Sequence, residues 1–146
     1  MLARFTLFLG LAFTAVAPEA YGADAPPKVL GQPLSEVRSL GALPADLATI
    51  LGRGKVGIGG IADRNEECSC TDVLDPKFPM RRLVLGGSNS TRVVVAIERG
   101  GGRALRIEAV NYVRLNDDWK ETKRWNLSRR PVTLLDLLDL IGEVAQ

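Results

Sequence analysis

Cys68-Ser69-Cys70 is the segment whose residue types and spacing carry the most chemistry. Two cysteines one residue apart point to the same side of an extended segment, near the widest Cα separation a disulfide spans. A bend in the loop would close them into a small ring. The pair therefore offers a structural disulfide, thiol–disulfide exchange, or ligation of a soft cation such as copper or zinc. Glu66, Glu67, Asp72 and Asp75 surround it. Their negative field disfavours a thiolate, so a spontaneously reactive nucleophile is the weakest of these readings. A bound cation reverses the argument, because carboxylates and thiolates both stabilise it. Cys-x-Cys without a second ligand pair lacks the pattern of a zinc site. A structural pair is the expectation, with metal binding or thiol redox at Cys68 and Cys70 as the alternative.

The chain contains no histidine. That removes Ser-His-Asp and Cys-His nucleophile systems, histidine-based zinc catalysis and a histidine pH switch. Proton transfer would fall to carboxylate, lysine, tyrosine or a bare thiol. Glu66/Glu67 and Asp117/Asp118 are adjacent in sequence, and neighbours point apart in a strand, so a carboxylate-pair hydrolase is a poor third choice. Gly52-Arg-Gly54-Lys-Val-Gly57 matches G-x-G-x-x-G, but a helix precedes it and a strand follows, the reverse of a dinucleotide site. It is expected to be a turn. No catalytic residue is assigned, and no cofactor is required.

Two groups of side chains suggest binding. Trp119, Glu121, Lys123 and Trp125 recur every second residue, which in a strand places them on one face. Asn111 is expected opposite them on the neighbouring strand. Two indoles, a carboxylate, an ammonium and an amide make the mixture found in ligand clefts. The competing reading is a solvated rim where the sheet overhangs its cover. Arg106, Arg114, Lys120 and Arg124 are expected on the other face. They would attract an anionic ligand or an acidic protein surface. Residues 81–130 hold twelve Lys and Arg against five Asp and Glu, a net of +7. The acidic residues are interspersed, so a solvated mixed face competes here too. Without a binding motif, nucleic acid is not an expected partner.

These groups must be positioned by a small domain. Residues 1–22 have a basic start, an apolar run from Phe5 to Ala17 and the small-residue pattern Ala20-Tyr-Gly22, the layout of a secretory signal peptide. Cleavage is expected after Gly22, leaving no transmembrane anchor and a periplasmic or secreted protein. In that setting thiols oxidise, as a structural Cys68–Cys70 pair requires. Residues 23–33 read as a flexible lead-in with three prolines. Residues 34–146 form one α+β domain. A short helix is expected after Ser35 and a second from Leu43-Pro44 to Gly52, with Leu47, Ile50 and Leu51 buried. Lys55 to Ala62 is a glycine-rich strand candidate.

From Arg81 the apolar period changes to two. Arg81, Leu83 and Leu85 share a face, as do Val93, Val95 and Ile97. Glycines after Arg99 and the run Asn116-Asp117-Asp118 mark turns. The result is an antiparallel β-meander of four to five strands. A last helix starts at Thr133 and carries Leu134, Leu135, Leu137, Leu138, Leu140 and Ile141 around most of its circumference. The short N-terminal helices and this C-terminal helix are expected to cover one face of the sheet. The functional expectation is a small exported, non-enzymatic binding or interaction protein, such as an envelope adaptor or inhibitor. Its partner would be an envelope protein or an anionic ligand.

Overall fold

The computed structural model describes residues 32–71, 74–100 and 105–144. The expected leader over residues 1–22, most of the expected lead-in, Asp72 and the residues after Gly100 where a glycine turn is expected lie outside the described residues.

Val93-Val-Val-Ala-Ile97 organises the fold. Five apolar residues in a row along a strand present apolar side chains to both faces, so both faces need a cover. The run lies in β4 (Arg92–Arg99), and all five side chains are buried. β4 pairs antiparallel with β3 (Pro79–Ser88) on one side and β5 (Arg106–Leu115) on the other. β5 pairs antiparallel with β6 (Asp118–Leu127), which completes the four-stranded meander.

The far edge of β3 is shared by two strands. β1 (Ser35–Val37) pairs antiparallel with its C-terminal end, and β2 (Gly57–Ala62) pairs parallel with its N-terminal end. The long connection holding both cysteines carries the chain back to start β3 in the same direction as β2, as a parallel pair requires. The sheet thus has six strands. Ser35 begins a strand rather than a helix. It pairs with Ser88, and the next two residues, Glu36 and Val37, pair with Gly87 and Gly86.

The helices cover opposite faces, which corrects the expectation of a single covered face. α1 (Ala45–Leu51) contributes Leu47, Ala48 and Leu51 to a core with Val93, Val95, Ile97, Val110, Tyr112 and Trp119. α2 (Leu134–Leu140) contributes Leu134, Leu137 and Leu138 to a second core with Val84, Val94, Ala96 and Ala109. The alternation along β4 separates the two cores and requires both. Each helix has only seven residues. It therefore meets the sheet along one stripe, and Ile50 and Leu135, expected inside, are 57% and 65% exposed.

Local chemistry sets the helix ends. Gly52 adopts φ +95° and stops α1; a Cβ there would stand 1.9 Å from the Gly59 carbonyl oxygen. The Thr133 hydroxyl accepts from the Asp136 N–H at 3.2 Å and starts α2. The Leu134 N–H donates to Glu36 of β1 at 2.8 Å, tying the last helix to the first strand. A bulge in β3 between Leu83 and Leu85 turns these two residues to opposite faces, so they do not share one.

Candidate functional site

The β5–β6 hairpin holds most of the residues expected to bind. Asn116 and Asp117 both have positive φ, 51° and 67°, as a two-residue hairpin turn demands. That turn sets Leu115 opposite Asp118, Arg114 opposite Trp119 and Tyr112 opposite Glu121. The next pair is Asn111 with Lys123. Thr122 is left over as a bulge. One extra residue reverses the alternation for everything beyond it.

The expected cleft is therefore split. Trp119 and Glu121 face the α1 side, and Lys123, Trp125 and Asn111 face the α2 side. The Trp119 ring is buried, and its Nε1 donates to Asp46 of α1 at 3.1 Å. The Arg114 guanidinium lies 5.7 Å from that ring's centre and 3.8 Å from the same carboxylate. On the other side the Lys123 ammonium lies 4.8 Å from the centre of the Trp125 ring. Asn111 is buried. Its Oδ1 accepts from Arg92 Nε at 2.6 Å, and its Nδ2 donates to Thr122 Oγ1 at 2.7 Å. Arg92 continues to Glu143 at 2.5 Å. Asn111 thus belongs to a hydrogen-bonded chain rather than to a cleft with Trp119 and Glu121.

The same bulge regroups the expected anion-binding set. Arg106, Arg114 and Arg124 lie on the α1 side with Trp119 and Glu121, while Lys120 lies on the α2 side opposite Val113. Arg124 is chelated by Glu121 at 2.8 and 2.9 Å and also reaches Glu108 at 2.5 Å. The Glu121 hydrogen bond raises its pKa further above the ordinary guanidinium value. Arg99 stands 3.7 Å from the other oxygen of Glu108. Burial, and next the Glu121 charge, raise the Tyr112 phenol above its usual value. Arg81 donates to the carbonyls of Leu51, Gly59 and Gly60, joining α1 and β2. Burial, and then the neighbouring Arg99 charge, lower its pKa.

Cover is uneven across this surface. β4 is enclosed on both faces, but residues 120–124 of β6 are all exposed. The uncovered α1 side beyond Tyr112 displays guanidiniums alternating with Glu108 and Glu121. It presents hydrogen-bond donors and acceptors held together by ion pairs.

Cys68 and Cys70 are disulfide-bonded. Cys70 is buried and Cys68 partly exposed, on the wall of an open groove of about 470 Å³ with Glu67, Phe78 and Arg82. The loop is docked onto the sheet: the Ser69 N–H donates to the Pro79 carbonyl at 2.8 Å, and Ser69 Oγ accepts from the Asp75 N–H at 2.7 Å. Gly100 faces it so closely that a Cβ would lie 2.3 Å from the Ser69 carbonyl oxygen. Both sulfurs are engaged in the bond, so metal ligation would first require reduction. Among the described residues no group of three His, Cys, Asp or Glu is placed to hold a metal ion.

Two features escaped the sequence. Glu98 is 1% exposed and accepts from Arg82 Nε and Nη2 at 2.9 and 2.7 Å, and from Arg130. Its only sequence signal was a charged residue beside an apolar run. A groove of about 450 Å³ lies at the open end of the hairpin, lined by residues including Leu105, Arg106, Ile107, Leu127 and Arg129. Arg129 is already paired with Asp136 there.

Comparison with protein-family models, curated proteins and solved structures finds no match to this chain.

Proposed function

We propose that this chain is a small non-enzymatic binding protein of an oxidising compartment outside the cytoplasm, an adaptor or inhibitor whose contact surface is the uncovered α1 side of β5 and β6. The observation that carries this reading is the uneven cover: one sheet is sealed at β4 and left open at β6, where Arg106, Arg114 and Arg124 stand among Glu108 and Glu121. A partner with an acidic surface, or an anionic ligand, matches the arginine excess. The apolar leader and the Cys68–Cys70 bond support export.

The test is capture from envelope extract by the purified protein, compared with Arg106→Glu/Arg114→Glu and with Lys77→Glu, an exposed change elsewhere. The double variant is expected to lose its captured partner while Lys77→Glu retains it. Equal capture by all three would sink the assignment of this face.

The partial exposure of Cys68 favours a second reading, thiol–disulfide exchange or metal binding after reduction. Thiol titration of protein taken from its native compartment, with and without added Cu(I) or Zn(II), separates it from the first. Two free thiols protected by metal would support it, and an intact disulfide untouched by either metal would count against it.

A further inference from the structure

We propose that two copies of this chain associate by pairing β6 with β6, antiparallel, into one continuous sheet. The proposal does not rest on the binding reading above. β6 ends the sheet: among the described residues this ten-residue strand pairs with β5 on one side only. The opposite border is occupied by β1 and β2, so β6 is the long free edge. A row of unpaired N–H and C=O groups of this length is a template for another strand.

The edge fits itself. An antiparallel two-fold pair keeps each face continuous, so residues set opposite one another must share a face. In a regular strand that condition fails for any pairing centred between two residues. The Thr122 bulge changes this. Glu121 and Arg124 lie on one face, as do Trp119 and Asn126, and Lys120 and Trp125 share the other. Centring the dyad between Thr122 and Lys123 sets Glu121 opposite Arg124 of the second copy and Lys120 opposite Trp125, with Trp119 opposite Asn126. Both dyad-related Glu–Arg pairs are then of opposite charge, and each lysine meets an indole.

Neighbouring registers are worse. Shifting the sum of paired positions by one sets Trp119 and Glu121 against side chains of the wrong face. Shifting it by two sets Lys120 opposite Lys123 on one face in one direction, and in the other sets Lys123 against Arg124 of the wrong face. Charges on an edge ordinarily keep strands apart. Here face and charge together disfavour the four nearest registers and favour one in which the occupant is the same sequence running backwards.

The experiment is sedimentation equilibrium on the purified protein, on Glu121→Arg and on Arg124→Glu, with circular dichroism to check that each folds. The unaltered protein is expected to sediment as two chains. Each variant alone places like charges across the dyad and is expected to dissociate at least tenfold more readily. An equimolar mixture of the two variants restores both opposite-charge pairs and should recover the two-chain mass. A chain that stays single up to about 1 mM, a dimer indifferent to both changes, or a mixture of folded variants that stays single would each overturn the proposal. Should a variant fail to fold, amide exchange on the unaltered protein decides. β6 amides that gain protection as concentration rises support the pairing, and concentration-independent exchange overturns it.

Discussion

Asn111 Nδ2 donates to Thr122 Oγ1 at 2.7 Å, and Thr122 Oγ1 donates in turn to the Asn111 carbonyl at 3.3 Å. Through these two contacts the side-chain amide and the backbone carbonyl of Asn111 hold the extra residue of β6 against the strand it would otherwise slip past. Thr122→Val should therefore do more than remove a hydroxyl. It leaves the buried Asn111 amide without its acceptor, and the expected cost is about 1–3 kcal/mol in urea denaturation. Thr122→Ser keeps the hydroxyl and should lose much less. Equal losses for the two would show that the bulge is held by the backbone alone.

Glu98 should behave as a buried charge whose partners matter more than its presence. Arg82→Leu leaves the carboxylate with Arg130 alone and is expected to destabilise by about 3 kcal/mol. Glu98→Leu/Arg82→Leu removes the charge as well and should recover part of that loss. A double variant less stable than Arg82→Leu would mean that the pair contributes more than its desolvation costs.

Two leucines one turn apart on the last helix should answer differently to the same change. Leu138→Asp puts an unpaired charge among Val94, Ala96 and Ala109 and is expected to unfold the domain or cost several kcal/mol, on the order of the whole net stability. Leu135→Asp faces water and should stay within about 0.5 kcal/mol. Truncation after Arg130 removes the cover of one sheet face and should give an unfolded or aggregated product in thermal melts.

The Cys68–Cys70 loop should depend more on space than on its bond. A three-residue ring removes little chain entropy from the unfolded state, so Cys68→Ser/Cys70→Ser should cost less than about 1.5 kcal/mol. Gly100→Ala pushes a methyl against the Ser69 carbonyl and should cost about 1–3 kcal/mol. The order of the two denaturation midpoints checks this.

Acid should loosen α2 first. Glu36 is held below its ordinary pKa chiefly by the Leu134 N–H, and Asp136 by Arg129 and then the Val132 N–H. A depressed carboxylate adds stability above its unfolded pKa, about 4, and loses it as pH falls through the lower folded value. Melting temperature should therefore drop from pH 5 towards pH 3, and the drop should shrink in Glu36→Gln. An unchanged acid limb in that variant would remove Glu36 from the account.

The sequence by itself determined the elements whose cause is local. Gly52 ends α1, Thr133 starts α2, and Asn116-Asp117 turns the hairpin, because each depends on a backbone angle or a hydrogen bond within a few residues. Alternation from Arg81 onward was enough for the meander of β3 to β6. The tertiary structure alone decided which side chains share a face. A bulge is a mismatch between two strands, and neither strand carries it alone; only pairing with β5 makes Thr122 the residue left over, separating Trp119 and Glu121 from Lys123 and Trp125. The same holds for the cover. The apolar run in β4 demanded apolar neighbours on both sides, but only packing could assign α1 to one and α2 to the other. Contacts such as Trp119 with Asp46 join residues far apart in the chain, and no local pattern encodes the distance between them.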